Sequence, residues 1–322
     1  MTGGDIITLL GADWTGCEDL IRKSLRSDIG LLNSINDASL SNSGKQLRPK
    51  LALLTARCLG GANGDSLHYA AAVELLHNAT LFHDDVADSS SLRRGRPTLS
   101  ALMGPNAAVL VGDYWLARAV DLIIETTHRT DAFKMFSATL SHLAEGEMLQ
   151  LEKASGADTT EEDYLRIIYC KTASLFETAC TTAALSVDAP KELCDAASRF
   201  GRATGLAFQI RDDIFDYLDD GQIGKPVGID LKEQKITLPL LGVLQSAPDE
   251  ADLRARVRDI PQHPEYVAEL RSYVCGHGGI EYAMRRLDDF IGEALEALEA
   301  FPASPERDAL AEIARYNAIR KV

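Results

Sequence analysis

The sequence predicts an all-α helical bundle, on three observations. Almost every informative segment repeats its apolar residues every three or four positions, the period of an amphipathic helix. No stretch of any length alternates apolar and polar residues as a half-buried strand does. Several helical segments exceed twenty residues and are apolar most of the way round, so they belong inside a bundle. In chain order, RPKLALLTARCLGG is a helix ended by Gly60 and Gly61. SLHYAAAVELLHNATLFHDDVAD follows, rich in Ala and Leu, with Asp65 placed as its N-cap. Pro105 fits the first turn of PNAAVLVGDYWLARAVDLIIE, and Pro190 that of PKELCDAASRFGRATGLAFQIRDDIFDYL. Thr159 with Glu162 makes a capping box opening one long helix, EEDYLRIIYCKTASLFETACTTAAL. Ser304 and Pro305 start the last helix, PERDALAEIARYNAIRKV. No proline-rich or glycine-rich linker divides these elements, so residues 1–322 read as one domain, with few signals before about residue 40. Residues 219–235, DDGQIGKPVGIDLKEQK, form a long polar connection between two apolar helices. Loops of that length in compact domains tend to be functional covers or disordered.

Composition narrows the function. The formal net charge is −15 and the pI about 4.9, which argues against a nucleic-acid surface. Any basic cluster is then local and aimed at a small anion. Six cysteines, at 17, 58, 170, 180, 194 and 275, have no CxxC pair and no metal-ligand spacing. That is the pattern of a reduced cytoplasmic protein with buried thiols. MTGGDIITLL lacks the basic start and cleavage site of a signal peptide. The most apolar stretch, AAVLVGDYWLARAVDLII, is broken by Asp113, Arg118 and Asp121, so no integral membrane segment is expected.

One acidic motif occurs twice. DDxxD stands at Asp84, Asp85 and Asp88 and again at Asp212, Asp213 and Asp216, each time at the C-terminal end of a long apolar helix. Positions i and i+4 of a helix share a face, so Asp84 pairs with Asp88 and Asp212 with Asp216. Like charges so placed repel, and acids at a helix C-terminus also oppose its dipole, so the arrangement asks for a cation. An all-oxygen ligand set without His or Cys favours a hard ion such as Mg2+, which keeps waters and bridges to a substrate phosphate. An EF-hand in DYLDDGQIGKPV fails because Leu218 and Val227 occupy ligand positions. The bases follow a matching logic. Lys45 and Arg48 in GKQLRP, Arg93 and Arg94 in RRG, Lys171 in YCKTAS, and Lys225 and Lys235 in the long loop suit an anion bound without metal.

Together these segments resemble the trans-isoprenyl diphosphate synthase (polyprenyl synthetase) family. The matching elements run in family order: GKQLRP, ELLHNATLFHDDVADSSSLRRGRPT, GDYWLARA, EGEMLQL, YCKTASLF, GLAFQIRDDIFDYLDD and GKPVGIDLKEQKITLPLL. The tail SPERDALAEIARYNAIRK resembles the family's last helix, and the likeness runs from about residue 40 to the end. The resemblance implies the isoprenoid synthase fold, one bundle of long helices around a deep central cavity, as a cytoplasmic homodimer. It implies head-to-tail condensation of an allylic diphosphate with isopentenyl diphosphate. By that likeness Asp84, Asp88 and Asp212 are the principal ligands of two or three Mg2+ ions, assisted by Asp85, Asp213 and Asp216. Arg93, Lys171, Lys225 and Lys235 match the allylic diphosphate contacts, and Lys45, Arg48, His77 and Arg94 the isopentenyl diphosphate site. Thr172 and Gln209 match residues near the allylic carbon. One departure is Gln234, where the family commonly has Gly before the lysine.

Product length follows from the residues one turn before the first motif. Ala79 and Thr80 stand about 6 to 8 Å up the helix from Asp84. In the family this chain resembles, a bulky aromatic there blocks growth and small residues let the tail pass, so the resemblance implies a product of about C30 or longer. Leu76, Val73 and Ala72 continue that wall without a ring, and the first motif lacks the two-residue insertion of bacterial farnesyl synthases. A floor from Tyr114 and Trp115, or from Phe133 and Phe136, is an open alternative. The rival readings are a short-chain farnesyl or geranylgeranyl diphosphate synthase, a class I terpene cyclase, and a noncatalytic subunit of a heteromeric synthase. A cyclase needs neither GKQLRP nor a second intact DDxxD, and noncatalytic partners commonly lose the aspartates that this chain retains.

Overall fold

A computed structural model describes residues 3–42, 44–218 and 227–319. Helices make up 78% of it, in line with the all-α expectation. They are α1 (Gly3–Leu10), α2 (Ala12–Ser24), α3 (Gly30–Leu40), α4 (Leu47–Leu59), α5 (Gly64–Ala87), α6 (Leu99–Met103), α7 (Pro105–Ile124), α8 (Arg129–Gly156) and α9 (Glu161–Ile168). After these come α10 (Ser174–Ser186), α11 (Lys191–Tyr217), α12 (Ile229–Lys232), α13 (Leu238–Leu244), α14 (Glu250–Asp259), α15 (Tyr266–Gly276), α16 (Gly279–Leu298) and α17 (Pro305–Ile319). The strands among the described residues, β1 (Leu92–Arg93) and β2 (Arg96–Pro97), pair antiparallel with Arg93 opposite Arg96. Arg94 and Gly95 turn between them at φ 53° and 75°. Positive φ at both central residues marks the two-residue hairpin turn that matches strand twist. A ladder this short gives no alternation to read in the sequence.

The chain packs as two compact units. The first comprises Met1–Ser137, Thr178–Ala197 and Phe301–Leu310. Its centre is α5, where Tyr69, Ala70, Ala71, Ala72, Val73, Leu75, Leu76 and Ala79 are all buried. Helix α7 packs along it, and Trp115 of α7 meets Phe82 edge-on at 5.5 Å while its indole N–H donates to Asn36 Oδ1 at 2.8 Å. A fully buried ring of this size is worth about 3–5 kcal/mol against truncation to alanine. The N-cap of α5 is Asn63, not Asp65. The Asn63 side chain accepts the Ser66 amide at 3.0 Å while Ser66 Oγ accepts the Asn63 amide at 3.1 Å. Asp65 lies in the first turn and accepts the Thr127 amide instead, at 2.8 Å.

The second unit comprises Ala138–Glu177, Ser198–Ala300 and Ala311–Val322. Its core joins Tyr164, Ile168, Leu206, Ile210 and Ile214 to Leu238, Leu241 and Leu287. The helix expected to run unbroken from residue 161 changes register at a π-helical segment, Tyr169–Ala173, before α10. Such a turn carries one extra residue and re-aims the side chains in it, commonly at functional sites. Its capping box is Thr160 with Asp163 rather than Thr159 with Glu162: Thr160 Oγ1 accepts the Asp163 amide, and the Asp163 carboxylate accepts the Thr160 amide, both at 3.1 Å. Pro190 precedes α11 by one residue and its carbonyl accepts the Leu193 amide at 2.9 Å. Pro105 and Gly60 fall where expected, at N1 of α7 and the C-cap of α4.

Candidate active site

The first acidic motif ends α5. Asp84 and Asp88 are exposed there, with Asp88 as the C-cap, whereas Asp85 turns inward and is buried. A buried carboxylate needs a partner, and the hairpin supplies it: Arg93 Nε donates to Asp85 Oδ1 at 2.6 Å. Arg94 points to another segment. It donates to the Asn42 carbonyl at 2.9 Å, and the end of its guanidinium fills the space beside Gly44, the first residue of GKQLRP. Arg96 also bonds Asn42. The separated acids and bases of this stretch thus form a strap, with one arginine on the acidic motif and two on the segment before Lys45.

Behind that strap lies a buried electrostatic cluster in which Glu74 and Lys50, which sequence reading missed, join His77, Arg48 and Arg94. Glu74 is buried on α5, with Asn78 Nδ2 donating to its Oε1 at 3.1 Å. Burial pushes its carboxyl above the ordinary range, while Arg48, Arg94 and Lys50 oppose that shift. Lys50, also buried, donates to the Lys45 carbonyl at 2.8 Å and lies 5.1 Å over the Trp14 ring. His77 is pushed well below 6.5, first by burial and then by the Arg48, Arg94 and Arg93 charges. It is therefore neutral near pH 7 and can offer a hydrogen bond but no charge. One turn on, Ala79 is buried and Thr80 half-buried, its hydroxyl donating to the His77 carbonyl at 2.8 Å. Trp115 and Phe136 are buried, whereas Phe133 is exposed.

The second motif is held differently. Asp212 is exposed and receives Arg211 Nη2 at 3.2 Å; the Arg211 guanidinium is buried against Phe208 and Phe215. Asp213 is buried, accepting Tyr164 Oη and Gln209 Nε2 at 2.7 Å each. Asp216 accepts the Ile229 and Asp230 amides at 3.0 and 2.9 Å, and so caps α12. Burial, then Asp230 and Asp212, push Asp213 well above the ordinary carboxylate range. Burial and Asp216 raise Asp230 to about 6, with Lys235 and Lys171 opposing. Asp230 belongs to this cluster, and the GIDLKEQK segment was its signal.

Lys171 sits in the π-helical segment, ion-paired to Glu147 and donating to Gln150 Oε1 at 3.0 Å. Both partners come from EGEMLQL, whose glycine is explained by close packing. A Cβ on Gly146 would stand 2.6 Å from Cys170 Cβ and 3.0 Å from Lys171 Cγ. The neighbouring Thr172 hydroxyl donates to Gln209 Oε1 at 2.7 Å. Lys235 pairs with Glu233, and Gln234, at the family's glycine position, takes φ 59° and donates to the Arg258 carbonyl at 2.9 Å. Lys225 lies outside the described residues.

The donor chemistry suits a divalent cation. Carboxylates held together tightly enough to raise one another's proton affinity are what a bound cation relieves. Among the described residues no three ligating side chains meet around one point. Mg2+ does not need such a cage, because it keeps several waters and takes one or two carboxylates plus substrate phosphates.

Comparison with known proteins agrees. The polyprenyl synthetase family model matches residues 30–274. An all-trans-nonaprenyl-diphosphate synthase (geranyl-diphosphate specific) of Rhodobacter capsulatus is 38% identical over 97% of this chain and 96% of its own. The crystal structure of a decaprenyl diphosphate synthase from Rhodobacter capsulatus superimposes with TM-score 0.93 at 34% identity, covering 99% of both chains. A polyprenyl synthase from Caulobacter crescentus, complexed with calcium and isoprenyl diphosphate, gives 0.90 at 34% identity over 100% of this chain and 98% of its own. The chain belongs to the polyprenyl synthetase family. It is a trans-prenyltransferase with the all-α isoprenoid synthase fold, and membership implies isopentenyl and allylic diphosphates as its substrates. Among the described residues no helix is long and apolar enough to cross a membrane.

Proposed function

We propose that this enzyme is a long-chain trans-polyprenyl diphosphate synthase working as one domain in a cytoplasmic homodimer. Both DDxxD motifs act on the allylic diphosphate, Asp84, Asp88 and Asp212 as principal ligands of two or three Mg2+ ions and Asp85, Asp213 and Asp216 in support. When bound, the ions stabilise charge developing on the departing pyrophosphate. Arg93, Lys171, Lys225 and Lys235 bind the same headgroup, and Lys171 enters that role from its resting pair with Glu147. Lys45, Arg48 and Arg94 hold isopentenyl diphosphate, with neutral His77 as a hydrogen-bond partner. Thr172 and Gln209 face the allylic carbon as it becomes cationic. The double bond of isopentenyl diphosphate attacks that carbon, and proton loss to released pyrophosphate completes the step, so no side-chain nucleophile or triad is needed. Preorganised charge on a developing anion is the main catalytic term in such a site.

The observation that carries this reading is the intact pair of aspartate clusters, each exposing its first acid and burying its second. It disfavours a noncatalytic subunit. Product length rests on Ala79, small and buried one turn before Asp84, and on similarity to nonaprenyl and decaprenyl synthases. The test is incubation of purified protein with Mg2+, labelled isopentenyl diphosphate and each allylic primer, followed by sizing of dephosphorylated products. Products of about C30 or longer are expected, since small side chains about 7 Å before the metal motif leave the tail a path. Products ending at farnesyl or geranylgeranyl length would support the short-chain rival. Ala79→Tyr should shorten the ladder, and an unchanged ladder would remove that residue from length control.

A further inference from the structure

Four side chains of the second unit form one hydrogen-bonded chain, and the residue that closes it has no assigned role. Tyr164 Oη donates to one carboxylate oxygen of Asp213, Gln209 Nε2 donates to the other, and Thr172 Oγ1 donates to Gln209 Oε1, each at 2.7 Å. Tyr164, Asp213 and Thr172 are all buried, so water does not compete for these groups. The chain has a direction. With both Asp213 oxygens accepting, the Gln209 amide must turn its NH2 toward Asp213 and its carbonyl toward Thr172. Thr172 has one hydroxyl proton, and that carbonyl takes it. The lone pairs of the Thr172 oxygen are then left for whatever stands on its other side.

We propose that Tyr164 is a positioning residue for the prenyl transfer: by fixing Asp213 it sets the direction of Gln209 and leaves the Thr172 oxygen to face the allylic cation with lone pairs only. This rests on the reaction proposed above. An oxygen lone pair aimed at growing positive charge stabilises it, whereas an O–H dipole aimed the same way opposes it, so the direction of the chain matters at the transition state. Local packing keeps the chain short. Thr172 sits in the π-helical segment, and Gly205 lets α11 approach it so closely that an added Cβ would stand 2.6 Å from Ala173 Cα.

Tyr164→Phe tests this by removing one oxygen and keeping the ring. In the full-length Mg2+-loaded enzyme, kcat should fall about tenfold or more while KM for each diphosphate stays within about twofold. In a Thr172→Val background the same substitution should cost less than about twofold further, because the link through which it acts is gone. Equal losses in both backgrounds, or a loss confined to KM, would mean that Tyr164 merely supports the fold. A crystal structure of metal-free Tyr164→Phe should show the Gln209 amide turned away from Thr172, and an unmoved amide would contradict the proposal. Gln209→Met breaks the chain one link further on and should give the same kcat-selective loss, which keeps the test open if the phenylalanine variant folds poorly. A parent enzyme without prenyl transfer would overturn the reaction; an active parent whose Tyr164→Phe variant keeps its kcat would overturn only the role of Tyr164.

Discussion

The two DDxxD motifs have one sequence pattern and two different environments. Each exposes its first aspartate and buries its second. In the first motif the buried acid, Asp85, is met by a guanidinium from a hairpin a few residues on. In the second, among the described residues, Asp213 is met by neutral donors, Tyr164 and Gln209, and Asp216 by backbone amides. Burial, and after it the neighbouring carboxylates, is why Asp213 and Asp230 hold protons more tightly than ordinary carboxylates. A motif fixes residue types and helical phase, but the partners decide whether each acid faces a ligand or braces the scaffold.

The largest expected effect is common to both motifs. Asp84→Ala and Asp212→Ala should each lower Mg2+-dependent turnover by about a thousandfold or more, the scale of losing electrophilic stabilisation of a leaving group. Steady-state assay at saturating substrates reads it, and near-normal turnover in either variant contradicts the assignment.

Next comes a test of the scaffolding side of the contrast. Asp216→Ala releases the Ile229 and Asp230 amides and with them the start of the segment that carries Lys235. Loss of a support of this kind commonly costs ten- to a hundredfold in activity. Hydrogen exchange in the metal-free protein should show faster exchange at Ile229 and Asp230 while the Asp85 region is unchanged. Unaltered exchange at those two amides would make Asp216 a ligand rather than a brace.

What the sequence made legible was the repeated and the periodic. Helix positions and the burial of the long apolar helices followed from spacing and residue type, because period is a local property. Helix starts slipped by one or two residues, as at Asn63 and Thr160, because several polar residues near each end compete for the same amides. The break in the long helix at Tyr169–Ala173 was not legible, since a π-helical turn leaves the apolar period nearly intact. Nor were Glu74, Lys50 and Tyr164, which read as ordinary helix residues until partners distant in sequence are known. The glycine of EGEMLQL became intelligible only with Cys170 and Lys171 beside it.

A smaller effect sharpens the first half of the comparison. Arg93→Ala strips Asp85 of its charged partner, so stability should fall by about 2–3 kcal/mol as a buried carboxylate is left short of a donor. Urea denaturation at neutral pH measures it, and an unchanged midpoint would show that water replaces the guanidinium. The smallest effect belongs to the second half. Asp230 rises from 3.8 to about 6 on folding, so between those values the native protein holds a proton that the unfolded chain has released. The Asp230 contribution to metal-free stability should therefore increase as the pH falls from 6 toward 4, by roughly 2 kcal/mol. Asp230→Asn should flatten that slope, and the same slope in the variant would exclude Asp230 as its source.

On the proposed function, both acidic motifs act on the allylic diphosphate and do so only with Mg2+. Binding of an unreactive allylic thiolodiphosphate, followed by calorimetry with and without Mg2+, tests it most directly. Tight binding only with Mg2+, lost in Asp84→Ala and equally in Asp212→Ala, is the predicted result. Binding that ignores Mg2+, or that survives either substitution, would contradict it.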